Sequence, residues 1–376
     1  MKQIAAIVDS GQTSPFFKNF LGGRFVREFE REFARYVGAK YAVSMANGTL
    51  ALNAAYSAVL PDCGRVKPKI AVSPYTFVAT VSELVRVGCE PVFVDVQNES
   101  GAIDLRKTVA VEHDGVVLMH PLGSPCDAST NDRFFVEDAC QALGARFDDY
   151  SMCGTRARIG VFSFQQTKSA STGEGGMAVT NDDELYRRLC FIRNHGEKYG
   201  PFAERYSYMT GTNYRLTEIQ AAIGLHALKT YDKLVKHQLM LGKIVLESIH
   251  RARWLYPQEP WSGNGYIFGS AISNFLCGPN CNSKRSYSAD HAAAKGVRER
   301  FLKRVKRWNK GVPGKVIGSG YSELVYELPA FRSYFHSPPE QCPVAEMWRD
   351  HAVWFDIRQM SVDEVKSISR EIERFK

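Results

Sequence analysis

Residues Tyr41–Leu60 read YAVSMANGTLALNAAYSAVL. A short apolar run, Tyr41–Met45, breaks at Asn47-Gly48-Thr49 and passes into a longer apolar stretch, LALNAAYSAVL. This predicts a strand, a tight turn and a buried helix. Just upstream, Phe25, Val26, Phe29, Phe33, Tyr36 and Val37 recur at helical spacing in FVREFEREFARYVG, an amphipathic helix ended by Gly38. The same rhythm continues downstream. Ile70–Ser73 reads as a strand, Thr76–Val87 as a helix and Pro91–Val96 as a strand. Gly115–His120 and Phe134–Glu137 are further strands, near-continuously apolar as parallel strands covered on both faces are. Ile159–Thr180 reads as two strands around a loop that carries Lys168 and Gly173-Glu174-Gly175-Gly176. Helices follow at Asp182–Asn194 and Leu216–Val235. Alternating strand and helix predicts an α/β sheet with helices on both faces.

After about residue 236 the texture changes. Two helical segments, roughly Ala289–Trp308 and Val362–Phe375, flank irregular stretches rich in Gly, Pro and Ser. The chain has 376 residues, more than the ~250–300 at which a single core stops growing. The expected division is a large α/β domain over residues 1–235 and a smaller α+β domain over 236–376. There is no internal repeat and no low-complexity tract.

Composition narrows the function classes. Hydrophobic residues make up 44% and charged residues 23%, ordinary for a chain that buries a core. Forty-eight basic against 40 acidic residues leave a net charge of +8, which favours anionic ligands without naming one. The basic residues are dispersed, and the one dense cluster, Arg298–Lys310, reads as a solvated helix face rather than a nucleic-acid surface. Nine cysteines is an odd count, and only Cys277 and Cys281 lie close together, with no second Cys/His pair at zinc spacing. Neither a metal site nor a disulfide framework is expected, and a reducing compartment is. The N-terminal residues carry no secretory pattern and no stretch approaches the ~20 apolar residues of a membrane span, so the expected location is the cytoplasm, away from membranes.

Three features fall on the ends of expected strands, where open α/β sheets bind ligands. Gly48 allows close backbone approach and Thr49 adds a hydroxyl at a helix N-terminus, whose free N–H groups and dipole suit a phosphate. The same residues equally suit a helix cap with a turn glycine. Asp138 ends the apolar run FFVED, and a buried carboxylate there is what keeps a pyridine nitrogen protonated; it also suits a helix cap. Lys168, in FSFQQTKSASTGEGG, could act as a point charge for phosphate or as a Schiff-base nucleophile. The order weakens a P-loop reading, because here the glycines follow the lysine.

Eight ordered stretches carry a resemblance: ANGTLAL, SPYTFVAT, PVFVDV, VEDACQALGA, GVFSFQQTKSASTGEGG, IRNHGEKYG, GTNYRLTEIQAAIGL and, near the C-terminus, CPVAEMWRDHAVWFDI. In these the chain resembles the DegT/DnrJ/EryC1/StrS family of sugar aminotransferases. The resemblance implies the fold-type I architecture of pyridoxal-phosphate enzymes, with a mostly parallel mixed sheet in the large domain and a smaller C-terminal α+β domain. It implies Lys168 as the Schiff-base lysine and Asp138 as the partner of the pyridinium nitrogen. It further implies Gln141 near the cofactor's 3-hydroxyl, Phe77 stacked on the ring, and Gly48, Thr49 and Ser163 on the phosphate. Phe77 has the alternative of an ordinary core residue. Asn213 would reach the phosphate across a homodimer interface, making the active site a shared one.

The implied reaction takes an amino group from L-glutamate or L-glutamine, leaves pyridoxamine phosphate, and delivers the group to a keto sugar, often nucleotide-linked, in glycan or natural-product biosynthesis. The chain departs from the family at His120–Asp127, at Asn264–Ile267 and at Tyr321–Glu327, segments that shape the acceptor pocket. These departures leave open an unusual sugar, a cyclitol or another small ketone as acceptor. The related sugar dehydratases carry a His where Lys168 stands, and a purely regulatory cofactor-binding module would not need Lys168, Asp138 and Ser163 together. His195, in RNHG, reads as a structural residue near a helix end.

Overall fold

The computed structural model describes residues 2–17, 19–64, 66–126, 134–199, 205–252, 254–257, 269–272, 295–309, 317–334, 342–356 and 360–375. The N-terminal part is built on seven strands: β1 (Tyr41–Met45), β2 (Lys69–Val72), β3 (Glu90–Phe93), β4 (Gly115–Met119), β5 (Phe134–Asp138), β6 (Ile159–Ser163) and β7 (Gly176–Thr180). They form one sheet in the order β1-β7-β6-β5-β4-β2-β3. The run from β3 to β6 is parallel, whereas β7 is antiparallel to both β6 and β1. The mixed, mostly parallel sheet expected from the resemblance is therefore present.

Helices cover both faces. On one side α3 (Gly48–Val59), α4 (Val78–Arg86) and α6 (Asp183–Arg193) share a core with the sheet. On the other, α2 (Arg24–Val37) and the first half of α7 (Glu218–Ala252) bury Phe29, Phe33, Ala221 and Leu225 against Phe162, Phe164 and Met177. The expected helix Leu216–Val235 is longer than the sequence rhythm suggested: it starts at Glu218 and runs 35 residues, to Ala252. No proline interrupts it, and its apolar face changes partner midway. Leu225 and Tyr231 belong to the core beneath the large sheet, whereas Leu241, Val245 and Ile249 belong to the C-terminal core. The carboxylate of Glu218, at its start, accepts the N–H groups of Phe25 and Val26 at the free N-terminus of α2.

Strands β8 (Glu197–Tyr199) and β9 (Arg205–Ser207) pair as a separate antiparallel ribbon. The C-terminal part holds a four-stranded sheet in the order β10-β11-β13-β12, with β10 Tyr256–Pro257, β11 Gly269–Ile272, β12 Ile317–Gly318 and β13 Ala352–Phe355. A helical segment over residues 295–304 and helix α10 (Val362–Arg374) join α7 to close its core. Helix α9 (Pro343–His351) turns the other way. Trp348 is fully buried in the core of the large sheet and its indole N–H donates to the Gln97 carbonyl at 3.2 Å. Asp95 caps this helix by accepting the N–H of Ala345 at 2.9 Å. Leu324, Val325 and Phe331 share the same core. Cys277, Cys281, Asp127 and Asn264–Ile267 lie outside the described residues. Among the described residues no helix is long and apolar enough to cross a membrane, and no group of three or more His, Cys, Asp or Glu side chains is placed to hold a metal.

Candidate active site

Successive parallel strands end at the same rim of the sheet, and that rim gathers the residues singled out in the sequence. At the N-terminus of α3, Asn47 caps the helix by accepting the Leu50 N–H at 2.9 Å, and Ala51 N–H makes the first intrahelical bond, to the Asn47 carbonyl. The cap reading and the ligand reading therefore coexist: the N–H groups of Gly48 and Thr49 precede the first intrahelical donor, Ala51 N–H, and have no acceptor within the helix. A Cβ placed on Gly48 would lie 2.8 Å from the Ser163 Cβ and 3.3 Å from the Cys140 Sγ. Only glycine lets α3 approach the end of β6 so closely, and the contact brings Gly48, Ser163 and Cys140 together.

Asp138 closes β5 with 4% of its surface exposed. Its Oδ2 accepts the Thr80 hydroxyl at 2.8 Å and its Oδ1 accepts the Cys140 N–H at 3.1 Å. Thr80 is itself paired with the Thr76 hydroxyl at 2.8 Å. Both of these donors are neutral, and between them they orient the buried carboxylate. Lys168 sits half-buried in the loop between β6 and β7, with its N–H donated to the Gln165 carbonyl at 2.8 Å. Its ammonium acts on the Cys140 thiol: burial first, and the Asp138 charge next, push that thiol well up, and the Lys168 charge opposes them. Lys168, Cys140 and Asp138 thus share one electrostatic neighbourhood.

Phe77 immediately precedes α4 and is 54% exposed. This overturns the alternative of an ordinary core phenylalanine: a large ring is held in the open at the end of an otherwise buried stretch. Gln141 accepts the Leu122 N–H at 2.9 Å through Oε1 and donates through Nε2 to the Tyr321 hydroxyl at 2.6 Å. Asn213 is exposed, in an isolated bridge with Asn194, one residue before Tyr214, whose carbonyl accepts the Ala46 N–H. Among the described residues no hydrogen bond joins the Asn213 side chain to Gly48, Ser163 or Asp138. His195 stands in a left-handed turn (φ 60) with its ring exposed, and its N–H donates to the Thr212 carbonyl, a structural placement.

Three residues of this neighbourhood were not singled out in the sequence as site residues: Thr80, Cys140 and Tyr321. Thr80 is four residues after Thr76, one helical turn along the same face, a spacing that could have signalled it. Tyr321 carries no such signal, since 180 residues separate it from Gln141.

Behind the rim lies a second buried pair. His120 Nε2 meets Glu137 Oε1 at 2.9 Å, and His120 Nδ1 accepts the Cys126 N–H at 3.0 Å, which leaves the ring proton on Nε2 to be donated to Glu137. Burial alone would raise the Glu137 carboxyl; the bond from His120 and the N–H groups of Ala157 and Gly154 outweigh it and hold the carboxyl below its usual range. A depressed folded-state pKa contributes stability above the unfolded value, and that stability is lost as pH falls through the folded value. The stability gap between the wild type and Glu137→Gln, measured by urea unfolding, is expected to shrink from neutral pH to about pH 3. A constant gap would show that the pair does not titrate with unfolding.

The comparisons with known proteins agree with this geometry. The sequence profile described as the DegT/DnrJ/EryC1/StrS aminotransferase family matches residues 4–373. The chain is 31% identical over 238 residues to a GDP-perosamine synthase of Escherichia coli O157:H7, covering 61% of this chain and 64% of that protein. It is 30% identical over 254 residues to the GDP-perosamine synthase of Vibrio cholerae, covering 65% and 66%. The matched stretches thus span just under two thirds of the length of these relatives. Among solved structures, the aminotransferase from Psychrobacter cryohalolentis superimposes with a TM-score of 0.81 at 29% identity, covering 98% of this chain and 94% of that one. With the profile spanning nearly the whole chain and the rim of the sheet built as described, the protein belongs to the DegT/DnrJ/EryC1/StrS aminotransferase family.

Proposed function

We propose that the protein is a pyridoxal-phosphate-dependent aminotransferase that moves an amino group from L-glutamate or L-glutamine to a keto sugar, often nucleotide-linked, in glycan or natural-product biosynthesis. The observation that carries this reading is the convergence at one rim of a buried carboxylate oriented by two neutral donors, a half-buried lysine and a glycine–serine cradle on a helix N-terminus. The GDP-perosamine synthases among the relatives support a sugar as acceptor.

The residues fit pyridoxal phosphate: a Cβ at position 48 would meet the Ser163 side chain, so glycine keeps the helix N-terminus and the serine hydroxyl side by side, as a phosphate would need. When bound, the cofactor supplies a protonated pyridine ring as an electron sink. Asp138, oriented by Thr80, keeps the proton on the ring nitrogen and gains there the positive charge that offsets its own desolvation. The N–H groups of Gly48 and Thr49, the α3 dipole and the Ser163 hydroxyl take the phosphate. Phe77 offers its open face to the ring, and Gln141 reaches the ring hydroxyl. Lys168 would hold the cofactor covalently through its Nζ and, when free, would serve as the base and then the acid that moves the substrate proton. Asn213, exposed in one chain, serves the phosphate of a second copy in a homodimer. The enzyme works in the cytoplasm.

The test is a half-reaction. Purified protein is expected to be yellow, and L-glutamate or L-glutamine is expected to bleach it with stoichiometric release of the corresponding keto acid. If no amino acid does so, the transaminase reading falls. The bleached protein, offered a panel of nucleotide-linked keto sugars, free keto sugars and keto cyclitols, is expected to regain its colour with a keto sugar. Recovery with cyclitols alone would move the acceptor out of the sugar class.

A further inference from the structure

Gln141 is gripped from two sides. Its Oε1 accepts the Leu122 N–H at 2.9 Å, which settles which end of the amide is oxygen, and its Nε2 donates to the Tyr321 hydroxyl at 2.6 Å. Leu122 stands at φ 52, ψ 29, a left-handed conformation uncommon outside glycine, so its N–H is aimed by the turn and not by the side chain it meets.

Tyr321 is held as firmly. It follows Gly320, at φ +67, where a Cβ would lie 2.7 Å from the Tyr75 hydroxyl oxygen. Glycine there lets the Tyr321 ring pack edge-on to Tyr75, with centroids 5.1 Å apart and planes at 81°. Tyr75 in turn contacts Trp348 at 5.8 Å, and the Val325 N–H donates to the Pro74 carbonyl at 3.0 Å. The tyrosine comes from the C-terminal third of the chain, yet each of these anchors belongs to the core of the large sheet. Burial, which outweighs the opposing Gln141 hydrogen bond and is reinforced by the Asp138 charge, pushes its phenol well above the usual range.

An amide nitrogen carries two N–H groups, and Tyr321 uses one. We propose that Tyr321 is a positioning residue whose hydroxyl holds the Gln141 amide so that its second N–H is aimed at the ring hydroxyl of the cofactor. The inference rests on the pyridoxal-phosphate reading above. It ties the segment Tyr321–Glu327, where the chain departs from its family, to the electronics of the ring.

The consequence is a pH signature. An N–H aimed at the ring oxygen favours its anionic form and lowers the pH at which the Lys168-linked cofactor loses its proton. Tyr321→Phe keeps the ring against Tyr75 and removes only the acceptor. In the holoprotein it is expected to raise the midpoint of the visible absorbance change by about 0.5–1 pH unit, one ordinary hydrogen bond expressed as a pKa. Gln141→Met, close in volume, is expected to raise it at least as much, and the double variant no further than Gln141→Met alone, because the tyrosine acts through the glutamine. An unmoved midpoint in Tyr321→Phe, or shifts that add in the double variant, would overturn the proposal while leaving the cofactor reading intact. A wild-type protein with no visible band would overturn both.

Discussion

Replacing Lys168 with alanine is expected to abolish covalent attachment of the cofactor and to lower amino transfer by roughly 10²–10⁴-fold or more, the range that a positioned general acid–base residue contributes. Borohydride treatment of the wild type is expected to fix the cofactor to residue 168 permanently, and mass spectrometry of peptides reads the site. The same treatment of Lys168→Ala is expected to label nothing stoichiometrically. The variant should fold, because the loop is held through its backbone: Lys168 N–H to the Gln165 carbonyl and Thr172 N–H to the Phe164 carbonyl. It should also keep a weaker, non-covalent hold on the cofactor, since Gly48, Ser163 and Asp138 are untouched. A label on another lysine, or a turnover equal to that of the wild type, would remove Lys168 from the chemistry.

The largest effect on stability is expected at Arg193. Its side chain is fully buried, and its Nη1 donates to the Glu30 carboxylate, which also accepts both the N–H and the hydroxyl of Ser44 at 2.8 Å. The guanidinium lies 5.0 Å from the Phe16 ring centre. The network pins α2, β1 and α6 together immediately behind the turn that leads to Gly48. Removing one charge of a buried pair strands the other in a low-dielectric interior, at a cost of about 3–5 kcal/mol. Arg193→Ala should show this loss in urea unfolding. The double variant Arg193→Met/Glu30→Gln should recover part of it, because the stranded charge is gone. A loss below about 1 kcal/mol in Arg193→Ala would mean that water or a rearranged Glu30 compensates the break.

These two residues mark how differently the chain discloses its parts. Lys168 could be picked out beforehand: it lies beside glycines and hydroxyls on the end of an apolar run, inside one of eight ordered stretches shared with a family. Arg193 lies in the shared stretch IRNHGEKYG, but nothing local marks it as buried, since an arginine in the last turn of a helix ordinarily faces water. Its partner is 163 residues away, and only the packing of α6 across β1 buries the two together. Phe77 shows the reverse: its surroundings are apolar and its ring is exposed, because the helix that follows begins one residue later and turns its buried face elsewhere. The length of α7 was hidden for a related reason. Its apolar rhythm changes partner near residue 235, and periodicity read along one face registers such a change as an ending.

The local chemistry determined much by itself. Apolar runs of strand length, helical spacing and turn residues dictated the α/β alternation, because those preferences act over a few neighbouring residues; the residue types at 48, 138 and 168 suited a phosphate, a pyridine nitrogen or a Schiff base without deciding between these and helix caps, and Ser163 entered through the family resemblance alone. Tertiary structure alone decided that β7 runs against its neighbours, that Thr80 orients Asp138, and that Tyr321 crosses 180 residues of chain to grip Gln141. Such contacts are set by the summed packing of the whole core, and no short-range rule of spacing encodes them.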